Sequence, residues 1–109
     1  MIIFTNWFIP SRFAGYTIGP LNLIRPEYKD DIGLIEHEKT HTSQFYRTLG
    51  IAGLLYTFSK TWRYKYELEA YRVQLKYSPN AVDKFATMLS FCYNLNITTS
   101  EAKADLLRP

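Results

Sequence analysis

The 109-residue chain predicts an α+β fold, a small N-terminal antiparallel sheet followed by helices. Three observations carry that expectation. The first two dozen residues are rich in Ile, Phe, Trp and Thr and are punctuated by Pro and Gly, as short strands are. From about residue 31 onward apolar residues recur at helical spacing. Capping residues or helix breakers stand at the joints between those stretches.

Ile2 to Ile9 and Tyr16 to Ile24 read as strands separated by a Pro-Ser-Arg turn, the second broken by Gly19-Pro20. Asp30 or Asp31 caps the next helix, because a carboxylate there accepts orphan backbone N–H groups and suits the positive end of the helix dipole. That helix, at about 31–48, carries Leu34, His37, His41 and Phe45 and stops before Gly50. Leu49 to Phe58 reads as a buried turn and short helix, with core the first choice over a dimer face or a membrane-leaning patch. A longer helix spans about 61–77 and ends at Ser78-Pro79. Ala81, Val82, Phe85, Met88, Leu89 and Cys92 then define one apolar helical face. Thr98 with Glu101 has capping-box spacing ahead of a last helix through Leu107.

This length supports one domain, 1–109, with any function inside its single core. A 47% hydrophobic and 17% aromatic composition excludes a disordered chain. Thirteen basic against ten acidic residues make a mild, dispersed excess that gives no indication of a nucleic-acid partner. Cys92 is the only cysteine, which excludes an internal disulfide and makes a reducing, cytoplasmic compartment the expectation. Met1 to Phe13 lacks the pattern of a signal peptide, and Leu49 to Phe58 is about half the length needed to cross a bilayer.

The chemistry is concentrated in His37-Glu38-Lys39-Thr40-His41, an HExxH string on the first long helix. Residues four apart share a helix face, so His37 and His41 can grip one zinc ion, and Glu38, turned by about 100°, can reach a water on it as general base. A catalytic zinc takes three protein ligands, and the chain has only these two histidines. The third is then a carboxylate or, as the weaker choice, Cys92. Gln44 and Arg47 stand where a metzincin would have Gly and His.

Two glutamates on the later helix compete. Lys65, Glu69, Arg72 and Lys76 fall within about 40° of one direction, so Glu69 reads as a solvated member of a charged stripe. Glu67 lies on the side shared with Tyr64, Ala70, Tyr71 and Gln74, where a carboxylate requires a positive partner, and a metal is one. Glu67 is therefore the chosen ligand. Tyr64 and Tyr71 flank it at helical spacing, and Tyr71 is taken as a phenol that could stabilise a developing oxyanion. The other aromatics between Trp62 and Tyr77 read as core, and Cys92 as an inert core thiol.

His37, Glu38 and His41, followed 26 positions after His41 by Glu67 within Tyr-Glu-Leu-Glu-Ala-Tyr-Arg, resemble the gluzincins, the thermolysin-like clan of zinc peptidases. The likeness covers His37 to Gln74 and is nearest to minimal single-domain members and to short phage or prophage proteins with an E-x-E-A-Y string. It implies a zincin-like metallopeptidase domain binding one Zn2+ through His37, His41 and Glu67. It also implies a peptide or protein substrate, added as a strand within Tyr16 to Ile24, and hydrolysis in which zinc polarises the scissile carbonyl and its water while Glu38 moves the proton. The relatives place an aspartate four residues after the ligand glutamate to orient a zinc-bound histidine; here Tyr71 stands there, so Asp30, Asp31 or a backbone carbonyl must serve.

HExxH also arises on ordinary helices. A di-iron carboxylate site would need a second Glu-x-x-His, which the chain lacks. The competing functional reading is a noncatalytic structural or interaction protein, such as a virion component, that keeps zinc for stability. The oligomeric state is not legible.

Overall fold

The structure is a computed structural model describing residues 1–108. Among them, three short strands, β1 (Ile2–Phe4), β2 (Gly15–Ile18) and β3 (Leu21–Ile24), precede five helices, α1 (Ile32–Arg47), α2 (Ile51–Phe58), α3 (Lys60–Tyr77), α4 (Val82–Phe91) and α5 (Thr99–Leu107). The α+β expectation holds, with two corrections to the sheet.

The first strand is shorter than Ile2 to Ile9 and is not antiparallel. β1 pairs in parallel with β3, β2 pairs antiparallel with β3, and the order β1-β3-β2 makes the sheet mixed. A parallel partner cannot be reached through a tight turn, so the chain leaves β1 at Thr5 and crosses to the far edge. Arg25 fixes that crossing: its guanidinium donates to the carbonyls of Phe13 (2.8 Å) and Pro10 (3.1 Å). β2 and β3 are joined by Gly19-Pro20, where Gly19 takes a positive φ of 57° that proline could not.

Asp31, one of the two expected caps, accepts from the backbone N–H of Leu34 at 3.0 Å and starts α1. Ser59 caps α3, and Thr98 caps α5 by accepting from Glu101 N–H at 3.0 Å. α1 and α3 run antiparallel: His41 meets Glu67, the ring of His37 meets that of Tyr71, and Gly33 meets Gln74 and Tyr77. A Cβ on Gly33 would come within 3.2 Å of Tyr77 Cβ and 3.3 Å of Gln74 Cγ, so glycine permits this close approach.

The apolar core is built by α3, α4, α5 and the loop after β1, from Ile9, Phe13, Tyr71, Phe85, Leu89, Tyr93 and Leu106 among others. Cys92 packs half-buried against it. The Leu49 to Phe58 stretch is not core, contrary to expectation. Only Ala52 of α2 is buried, while Leu49 (92% exposed), Ile51, Leu54 and Phe58 (82%) face outward. One narrow side of α2 leans on α1 and α3, and no described element covers the other. No helix among the described residues is long and apolar enough to cross a membrane.

Candidate metal centre and cleft

One turn of α1 sets His37 and His41 on the face that meets α3, with ring centroids 5.1 Å apart. From α3, Glu67 Oε1 approaches His37 Nε2 at 3.2 Å and His41 Nε2 at 3.1 Å. The three offer one ligand atom each, all within 4.8 Å of one another. Two imidazole nitrogens and a buried carboxylate oxygen are the donor types that divalent zinc takes in open, three-ligand sites, so the residues fit such an ion. Glu69, the rejected alternative, points elsewhere.

Burial would push the Glu67 carboxyl up, but the charge of His41 and the hydrogen bonds from both histidines outweigh it and hold Glu67 well below the usual carboxylate range. Burial likewise opposes a charged His41, and Glu67 beside it prevails, raising His41 to about 9. In the absence of metal the Glu67 carboxylate and the His41 imidazole thus compensate one another.

The remaining ring nitrogens differ. His41 Nδ1 lies 2.9 Å from Gln44 Oε1; Gln44 Nε2 in turn donates to the Tyr66 carbonyl at 3.0 Å and to Glu69 Oε1 at 2.8 Å. Arg47 closes the chain on Glu69 at 2.8 Å. Glu69 is partly exposed, as expected of a surface residue, but its partners are Arg47 and Gln44 of α1 rather than Lys65 and Arg72. The acceptor for His41 is Gln44, not Asp30 or Asp31, and Asp31 is engaged as a cap. His37 Nδ1 is buried with no hydrogen-bond partner.

Glu38 is buried beside the pair. Thr17 of β2 donates to its Oε1 at 2.7 Å, and Asn22 of β3, 2% exposed, donates to its backbone carbonyl at 3.0 Å and to Thr42 Oγ1 at 2.8 Å. These bonds lock the sheet to α1. A Cβ on Gly15 would lie 3.1 Å from Glu38 Oε2, so glycine keeps that oxygen uncrowded.

Tyr71 is not placed as expected. Its ring stands edge-on to His37 at 4.3 Å, its hydroxyl is spent on Tyr93 Oη at 2.6 Å, and it lies 4% exposed in the core rather than on the cleft. Tyr64 is likewise engaged, donating to Asp105 at 2.5 Å. The phenol at the centre is Tyr56 of α2, which donates to Glu67 Oε2. Burial, and then the Glu67 charge, push its pKa far above the ordinary tyrosine value and keep it a neutral donor. Nothing in the run Leu49 to Phe58 distinguished Tyr56; Gln44 had a signal in its i+3 spacing from His41.

His37, Glu38, His41, Glu67 and Tyr56 line a cavity of about 270 Å3, bordered along one side by β2 from Gly15 to Ile18. β2 is an edge strand, and among the described residues no strand pairs with its second side. Comparison of the chain with protein-family models, curated proteins and solved structures finds no match.

Proposed function

We propose that the chain is a zinc-dependent peptidase of the gluzincin type, a zincin-like domain in which His37, His41 and Glu67 hold one zinc ion. The observation that carries this reading is the meeting of two Nε2 atoms and one carboxylate beside Glu38, in a cleft bordered by a free strand edge. Zinc in such a site supplies Lewis acidity, polarising a carbonyl and lowering the pKa of a water.

The chain's own groups supply the rest. Thr17 holds one oxygen of Glu38, leaving the other to take a proton from water and return it to the leaving amine. The free edge of β2 offers backbone N–H and C=O groups to an extended peptide, which adds as a fourth strand across the cleft. Tyr56, rather than Tyr71, is the neutral phenol that lines the cleft, and once turned from Glu67 Oε2 its hydroxyl would donate to negative charge developing on the substrate oxygen.

The test is cleavage of a peptide library by zinc-loaded protein. The wild type cleaves, and Glu38→Gln retains one zinc while losing about 10²–10⁴-fold in rate. Zinc uptake with no cleavage by the wild type would favour the noncatalytic alternative. Cleavage that survives in Glu38→Gln would remove Glu38 as the base.

A further inference from the structure

The two histidines at the centre share a helix face and a carboxylate but differ at the far nitrogen. His41 Nδ1 has Gln44; His37 Nδ1, on a residue only 3% exposed, has no partner. One other side-chain atom among the described residues is buried without a partner, Gln74 Oε1 on α3, an acceptor that would answer His37 Nδ1 once a metal takes Nε2 and the ring proton moves to Nδ1. Both residues line the same polar cavity of about 310 Å3 behind His37.

We infer that Gln74 is the positioning residue for His37, its amide oxygen accepting the Nδ1 proton so that Nε2 presents its lone pair to the metal. The antiparallel seam brings the two together: Tyr71 packs on His37, Gln74 follows Tyr71 by one turn, and Gly33, one turn before His37, sits against Gln74 Cγ. The cavity they share has room for a water between them or for movement of the Gln74 side chain. Tyr71 meets His37 through its ring, and its hydroxyl bonds Tyr93 and not Nδ1. Asp31 and Glu27 also line the cavity, but both are exposed and Asp31 is committed to the helix cap. Each zinc histidine would then be oriented by a glutamine, Gln44 from its own helix and Gln74 from the opposite one. This inference rests on the zinc reading above.

The experiment is Zn2+ affinity by competition with a chromophoric chelator, read beside the melting temperature of the metal-free protein. Gln74→Leu weakens Zn2+ binding by about 10–100-fold. It leaves the metal-free melting temperature unchanged or raised, since it removes a buried polar atom that has no partner there. A merely structural residue would lower both. Gln74→Glu, which keeps an acceptor oxygen, retains wild-type affinity, and Gln74→Met repeats the Leu result with nearly unchanged volume. Nitrogen-15 spectra of the zinc-loaded wild type show His37 protonated at Nδ1. Equal affinity in wild type, Gln74→Leu and Gln74→Met, or a loss of affinity on Asp31→Asn in place of Gln74→Leu, would overturn the assignment while leaving the zinc site standing. A wild type that binds no Zn2+ would remove both.

Discussion

The seam between α1 and α3 and the core between α3, α4 and α5 are both shielded from water, and they are built on opposite principles. The core is filled by Phe85, Leu89, Leu106 and their neighbours, whose burial is favourable in itself. The seam buries His37, Glu38, Gln44, Glu67 and Gln74, each of which is costly to desolvate unless another group answers it. α3 serves both: Tyr71 belongs to the core and touches His37, while Glu67, one turn earlier, belongs to the seam. A fold of this size can carry so polar a seam because the core stabilises it from the other side.

Substitutions in the two regions should therefore separate stability from metal binding. Leu89→Ala, at a fully buried position, destabilises the protein by about 2–5 kcal/mol and leaves Zn2+ affinity unchanged. Denaturant unfolding with and without metal checks this; a shift in affinity would mean that the regions are mechanically coupled. His37→Ala does the reverse. It abolishes the stabilisation that zinc confers, about 4 kcal/mol at a thousandfold excess over Kd, which thermal melts with added Zn2+ would read.

The seam should also respond to pH in a way the core cannot. Because His41 is raised from 6.5 to about 9 by Glu67, its contribution to the metal-free protein is complete below pH 6.5 and is lost as pH rises towards 9. Glu67, held low, contributes above its ordinary value of 4.5 and loses that contribution as pH falls. Both shifts record one interaction, on the order of 3 kcal/mol. Metal-free stability should fall from pH 6.5 to 9, whereas the increment added by Zn2+ should grow across that range, because His41 must lose its proton to bind the metal. Parallel melts across that range with chelator and with Zn2+ would show it; identical slopes would contradict the seam's electrostatics. The smallest effect belongs to the outer face of α2, where Phe58→Ser should change stability by no more than about 0.5 kcal/mol because the side chain is largely exposed.

How much of this was legible in the sequence follows the same division. The helices were readable because apolar periodicity and the caps Asp31 and Thr98 are local signals. The parallel pairing of β1 was not, since it depends on where the chain returns after a ten-residue crossing. The outward face of α2 reads as core from sequence because apolar composition does not say whether another element covers it. His37, Glu38 and His41 stood out because helical spacing alone aligns them. Glu67 could be distinguished from Glu69 because a carboxylate opposite a charged stripe needs an explanation. Thr17, Asn22 and Tyr56 act through contacts between elements and left no local trace. The role of Tyr71 is hidden for a related reason: spacing puts it on the correct side of α3, but its hydroxyl bonds a tyrosine 22 residues away.

The most direct measurement is the zinc content of the purified chain equilibrated with buffered Zn2+, compared between wild type and Glu67→Gln. One zinc per wild-type chain and none in the variant is the predicted result. A wild type that takes up no zinc, or a variant that holds as much, would contradict the account.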